Sequence, residues 1–228
     1  MHFRGSWENA PDPFSAVQIR QKLARRAAKA GLSLSEASLD GLEAYFQLLR
    51  KWNRRVSLTA LPVDEGEDEA VDRLLIEPAL AAKYLPYRDS AVIDIGSGGG
   101  SPAIPMKLVA PGISMLMVES KTRKAAFLRE AARQLGLDRT AVQASRFEEL
   151  LSKPNLHDSS DVVTMRAVKV EPKTLAAVQS FLKPRGLVFL FTAVSTPDVP
   201  PSPQLSPFAS HVLLSQFGAR LQVLQKVV

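Results

Sequence analysis

The stretch Val92-Ile93-Asp94-Ile95-Gly96-Ser97-Gly98-Gly99-Gly100-Ser101-Pro102 decides how this chain is read. An apolar run ends at Asp94, a glycine-rich turn follows, and Pro102 suits the first turn of a helix. Glycine permits φ > 0 and lets a ligand press against bare backbone. The free N–H groups at a helix start add partial positive charge there. A strand–turn–helix of this kind holds a nucleotide-like ligand at the carboxyl edge of a parallel sheet.

Outward from this turn, strands and helices alternate. Short runs rich in Val, Ile, Leu or Met predict strands at 91–95, 113–118, 140–144, 161–166 and 187–191. Helices are expected between them at about 102–110, 121–135 and 171–182, with Gly136 as a C-cap glycine. Lys183-Pro184-Arg185-Gly186 reads as a turn into the fifth strand, and the proline-rich 195–207 as an irregular loop. Segments 211–217 and 220–227 alternate around Gly218-Ala219 and suggest a closing antiparallel hairpin. The fold class is therefore α/β, a Rossmann-like parallel sheet covered on both faces.

The N-terminal part differs. Residues 1–15 read as a loose leader, 16–30 as an amphipathic helix ending at Gly31, and the run after Ser35 as a second helix capped by Ser35 or Ser38. Asp72 to Tyr84 suggests a third, bent or restarted at Pro78. Residues 1–88 then form a leader and helical cap, and 89–228 the sheet domain. Apolar residues make up 46% and charged residues 23% of the 228, an ordinary balance for a globular protein. The chain has no cysteine, which excludes disulfides, thiolate metal sites and cysteine nucleophiles. No apolar run reaches the roughly 20 residues of a membrane span, and no secretory signal is visible. A cytoplasmic location is compatible with these features.

The net charge of +6 makes an anionic partner plausible. Basic residues cluster at 20–29, at 50–55 and at 121–133, and the acidic stretch 64–69 reads as a solvated loop. Such clusters serve either as solvated helix faces or as a nucleic-acid footprint.

Two ligand classes fit the glycine turn. Gly98 to Ala103 can be read as GxGxxA, a weak dinucleotide signal on its own. Asp94-x-Gly96-x-Gly98, with Ser97 inside the turn, instead fits S-adenosylmethionine, and so does a sheet that closes with a hairpin. In either case Glu119, ending the second strand, is placed to bridge ribose hydroxyls. After the third strand, Phe147 beside Glu148 can pack on an adenine face and read its edge. Alternatively, Glu148 and Glu149 merely open a helix.

With these residues, the segments 94–105, 118–130, 145–149, 162–168 and 48–60 together resemble the bacterial small-subunit (16S) ribosomal RNA guanine-N7 methyltransferases, once called glucose-inhibited division protein B. The resemblance covers about residues 35–191. It implies a class I S-adenosylmethionine-dependent methyltransferase sheet with a helical cap, acting on small-subunit ribosomal RNA. It also implies that Gly96, Gly98, Ser101, Glu119, Phe147, Glu148 and Arg166 lie at cofactor positions. The family usually has a bulky apolar residue where Ser101 stands and a lysine where Thr192 stands. Its cap commonly carries a histidine followed by Asp-Ser, which 72–78 lacks.

Guanine N7 carries a lone pair and no proton, so attack there needs no general base. That suits a chain whose histidines, His2, His157 and His211, fall in the leader, a loop and a terminal strand. Arg166 is the leading catalytic candidate, touching the cofactor and orienting the base. Its alternative is a salt bridge to Glu148 or Glu119. Arg123 and Lys124 can grip the RNA backbone, and Arg146 can aid either ligand. Trp52 is read as core before nucleobase stacking. No metal, no membrane and a monomer are expected. Two other readings remain open: a methyltransferase of a small metabolite, and an inactive nucleotide- or RNA-binding module.

Overall fold

The computed structural model describes residues 16–64, 67–168, 170–199 and 203–227. The leader with His2, and Glu65 of the acidic stretch, lie outside the described residues. Seven strands form one sheet in the order β3-β2-β1-β4-β5-β7-β6. They are β1 (Ala91–Ile95), β2 (Ser114–Val118), β3 (Thr140–Gln143), β4 (Ser160–Arg166), β5 (Leu182–Ala193), β6 (Leu205–Leu214) and β7 (Ala219–Lys226). The first five run parallel, and β7 pairs antiparallel with both β5 and β6. The strand order reverses between β1 and β4. A parallel sheet opens a crevice at the carboxyl ends of such a pair.

Alternation along each strand divides the core. Val92, Met115, Met117, Val162 and Phe189 face one side, with the cap helices and α5 (Ala103–Val109) and α6 (Thr122–Gln134). Ile93, Ile95, Val163, Met165 and Val188 face the other, against α7 (Pro172–Gln179). The cap helices α1 (Ala16–Lys29) and α2 (Glu36–Asn53) share the first of these cores with the sheet. Gly31 ends α1 at φ 65°, and Ser35 caps α2 by accepting the Ser38 N–H at 3.1 Å. No helix among the described residues is long and apolar enough to cross a membrane.

Four expectations need correction. Lys183-Pro184-Arg185-Gly186 is a bulge inside β5, not a turn before it: Ser160 pairs Leu182, and Val162 pairs Leu187. The first strand of the closing hairpin, expected from 211, begins at Leu205, inside the expected loop. Pro207 fits because β6 is the sheet edge, where a missing N–H costs no ladder bond. Asp68 and Glu69 begin a short helix, α3 (Asp68–Val71), and Asp68 pairs with Lys22 and Arg26. The loop thus belongs to the cap's ion-pair network. Finally, the helix expected from Asp72 starts at Asp68 and passes through a π turn (Asp72–Ile76) before α4 (Glu77–Ala81).

That π turn has a local cause and a local effect. Pro78 has no N–H and cannot continue the ladder. The Glu77 N–H reaches back to the Asp72 carbonyl, so the Arg73 carbonyl receives neither the Glu77 nor the Pro78 partner. It stays available to a side chain from elsewhere.

Candidate functional site

The glycine turn is stitched to the end of β2. The N–H groups of Gly96 and Ser97 both donate to the Val118 carbonyl, at 2.9 and 3.0 Å. Gly96, Gly98 and Gly100 have φ of 74°, 54° and 90°, conformations that L side chains rarely adopt. A Cβ on Gly100 would also strike Ile104 Cδ1 at 2.5 Å. Tyr45 of α2 donates its hydroxyl to the Gly99 carbonyl at 2.6 Å, fastening the cap to the turn. The periodicity of α2 marks Tyr45 as core and carries no sign of this bond.

Beside the turn opens a cleft of about 550 Å³, within the range of small-molecule sites. Its sheet side presents Gly96, Ser97, Gly98, Ser101, Glu119 and Arg166, and its cap side Leu49, Leu58 to Leu61, Arg73 and Leu74. Lys121 and Lys124 border it as well. Glu119 is buried, and its Oε2 accepts the Gly98 N–H at 2.9 Å while Oε1 accepts the Lys121 N–H at 2.7 Å. Each oxygen keeps a further lone pair for a ligand hydroxyl.

Arg166 is held from three directions. Its Nη1 donates to the Arg73 carbonyl at 2.6 Å and to Ser101 Oγ at 3.2 Å, and its Nη2 to Glu77 Oε2 at 2.8 Å. The guanidinium carbon lies 5.7 Å from the centre of the Phe191 ring. Its ion-pair partner is thus Glu77, not Glu148 or Glu119. Glu77 is 1% exposed and is also 3.3 Å from Arg73 Nε. Burial pushes the Glu77 carboxyl up, against the pull of Arg166 and Arg73, and pushes the Arg166 guanidinium down, against the pull of Glu77. Ser101 completes the group by donating to the Leu74 carbonyl at 2.9 Å. Nε and one Nη2 hydrogen of Arg166 remain for a ligand.

Asp94 lies behind the turn rather than in the cleft. It is fully buried, and Oδ1 accepts the Thr164 hydroxyl at 2.5 Å. Oδ2 finds no protein donor among the described residues. Burial pushes its carboxyl up to about 6 from 3.8, against the hydrogen bonding. Between those values the folded chain keeps a proton that the unfolded chain releases, so stability falls as pH rises. The roughly 2-unit gap corresponds to ~3 kcal/mol. Denaturant titrations from pH 3.5 to 7 should therefore show a decline in native protein that Asp94→Asn lacks. Parallel pH profiles for the two proteins would refute this origin.

The remaining candidates lie away from the cleft. Phe147 is half-buried against the second core, Glu148 is exposed, and Arg146 caps a 3₁₀ helix over Phe147–Ser152. Arg123 is exposed one residue before Lys124. His157 meets the Leu151 carbonyl at 2.8 Å, and His211 stacks on Tyr84. Trp52 sits 5.7 Å from the Phe127 ring, packed against the core. In the first basic group Arg20, Lys22 and Arg26 are paired with acids of the cap. Lys121, Arg123 and Lys124 have no ion-pair partner among the described residues.

Residues 38–198 match the family described as rRNA small subunit methyltransferase G. A protein of Neisseria gonorrhoeae named ribosomal RNA small subunit methyltransferase G is 37% identical over 153 residues, 66% of this chain and 69% of that one. A protein of the same name from Syntrophotalea carbinolica is 33% identical over 180 residues, 79% of each. Among solved structures, a SAM-dependent methyltransferase from Aquifex aeolicus aligns with a TM-score of 0.54 at 16% identity, covering 72% of this chain and 96% of that one. That likeness is one of fold.

Proposed function

From the premise that this chain belongs to the rRNA small subunit methyltransferase G family, we propose that it transfers a methyl group from S-adenosylmethionine to N7 of a guanine in small-subunit ribosomal RNA, as a monomer in the cytoplasm. One observation carries the reading. The glycine turn and the Glu119 carboxylate line the same cleft, linked through the Gly98 N–H at 2.9 Å.

The residues present suit the cofactor. Glu119 offers acceptors to the two ribose hydroxyls, and Gly96 and Gly98 offer backbone without side chains on either side of Ser97. A Cβ on Gly98 would meet nothing nearer than the Gly96 carbonyl at 3.6 Å, so close approach and φ, not packing, call for glycine there. Bound in the cleft, S-adenosylmethionine supplies an electrophilic methyl on a sulfonium. Asp94 and Thr164 support the turn from behind. Arg166, anchored by Glu77 and the Arg73 carbonyl, directs its free N–H groups toward the acceptor base. Alignment of nucleophile, carbon and leaving group can lower such a barrier by roughly 7–11 kcal/mol. The residues lining the cleft include no histidine, which suits a nucleophile with no proton to remove. Phe147 and Glu148 are proposed to meet the adenine only through the rim of the site, since neither borders the cleft.

The direct test is methyl transfer from labelled S-adenosylmethionine to small-subunit RNA lacking the modification, followed by nucleoside analysis. Label in N7-methylguanosine supports the reading, and label confined to small molecules overturns it. Lys121, Arg123 and Lys124 are proposed as phosphate contacts, with Arg146 further along the edge. Replacing the first three by alanine should flatten the plot of log affinity against log salt by about 2–3. RNA affinity in the native protein that ignores salt would favour a small-metabolite substrate.

A further inference from the structure

At the opposite edge of the sheet, near the amino ends of β1 and β4, a second cleft of about 490 Å³ opens between Tyr84, Tyr87, Phe208, Lys183 and Arg185. β1 spans about 17 Å at the usual rise per residue, so this cleft is separate from the one at Gly96 and Arg166. We propose that it is a second RNA contact, a stacking platform for an unpaired nucleotide of a single-stranded segment. The choice of RNA rests on the methyltransferase reading above; the cleft itself does not.

Its aromatic side chains are unusually open. Tyr87 is 62% exposed, Phe208 59% and Tyr84 38%. Large apolar side chains grouped at a surface mark interaction sites. Two irregularities of the sheet converge here. In β6, Pro207 pairs Leu224 and Ala209 pairs Val223, so Phe208 is the extra residue of a bulge. In β5, the Lys183–Gly186 bulge contains Arg185 at φ 64°, a strained conformation for a residue with a Cβ. Bulges re-aim side chains, and these two bring a ring and a guanidinium to one place. Tyr84 is held flat by His211, with ring centroids 3.7 Å apart and planes 13° from parallel. A ring fixed in advance costs little entropy when a base lands on it.

The charge favours a polyanion. Asp161, the acid of the cleft, is spent: Oδ1 accepts from Lys183 and Oδ2 from the Ala91 N–H, each at 2.8 Å. Arg185 has no ion-pair partner among the described residues, which leaves the cleft positive. Rings combined with uncompensated cations are how single-stranded nucleic acid is held without sequence preference. A second copy of the chain is the poorer occupant. The obvious way to add one is along the β6 edge, and that edge is blunted by Pro207 and by irregular register at two places.

The test uses a fluorescein-labelled, single-stranded ribo-oligonucleotide of about ten nucleotides, and the same oligomer substituted with 4-thiouridine for cross-linking. The Tyr87→Ala/Phe208→Ala double variant should bind the oligomer about 10-fold more weakly or worse. Its melting temperature and S-adenosylmethionine affinity should match the native protein's. Arg185→Gly, compatible with the backbone at that position, should reduce the salt slope by about 0.7. Cross-links should fall on peptides containing Tyr87 or Phe208. Unchanged affinity in the double variant, or cross-links confined to residues 121–124, overturns the proposal. So does a native dimer that the double variant converts to monomer, which would assign the face to a second copy. Cofactor affinity is read on the same proteins, so failure here and failure of the methyltransferase reading give different results.

Discussion

Arg166→Ala is expected to reduce methyl transfer by about 1000-fold and to lower the melting temperature by roughly 10 °C. Both effects follow from the same three bonds. Losing two or more charge-assisted hydrogen bonds removes about 1.5–3 kcal/mol apiece from whatever geometry they maintain. The stability loss arises on the other partner. Glu77, 1% exposed, keeps only Arg73 at 3.3 Å among the described residues. Stripping one partner from a buried pair costs about 3–5 kcal/mol, and a chain of this size loses roughly 2–4 °C per kcal/mol. Lysine should not substitute, because one ammonium cannot reach the Arg73 carbonyl, Ser101 and Glu77 with the same fork. The two consequences can be separated. Arg166→Ala/Glu77→Gln removes the stranded charge and should recover most of the melting temperature while leaving methyl transfer low. Recovery of kcat/KM together with stability in the double variant would reduce Arg166 to a structural residue.

Glu119→Ala should weaken S-adenosylmethionine binding by about 100-fold or more, measured by calorimetry. The carboxylate is proposed to accept from two ribose hydroxyls, and bonds to a charged acceptor contribute roughly 1.5–3 kcal/mol each. Its loss also releases the Gly98 and Lys121 N–H groups that it now holds. Because the ribose is remote from the transferred methyl, KM for the cofactor should rise while kcat changes far less. Glu119→Gln, with one carbonyl oxygen left as acceptor, should fall between native and alanine. An alanine variant that binds the cofactor within about 3-fold of native would show that the nucleoside lies elsewhere.

The glycine turn and Glu119 were legible because their signals are local. A strand that ends in an acid, glycines where φ must be positive, and a second acid at the next strand end can all be read along a short window. Glu77 was not, for the opposite reason. It meets Arg166 across 89 positions of sequence, and nothing near it distinguishes a buried anchor from a solvated acid in a helix. Tyr45 and Gly99, 54 positions apart, present the same difficulty. Lys183 to Gly186 shows composition misleading outright. Those residues favour turns, yet pairing on either side absorbs them as a bulge. Pro207 was read as a strand breaker because its place at the edge depends on strand order, which no window contains. The basic group of α1 can be read along the sequence as a solvated face or as an RNA footprint, and only the fold shows Arg20, Lys22 and Arg26 paired with the acids at 36, 40, 68 and 72.

Because the cap and one face of the sheet are packed as a single interior, the wall formed by α2 and the loop after it is not a swinging door. To lift it would bring Tyr45, Phe46, Leu49 and Ile104 into water, at roughly 1.5–3 kcal/mol for each large side chain. On the proposed function, cofactor and base therefore enter a cleft whose walls are already set, with Lys121 and Lys124 among the residues that line it. If the proposed guanine is stacked in folded RNA, it would have to be turned out to arrive there, and the motion would then fall to the RNA more than to the protein.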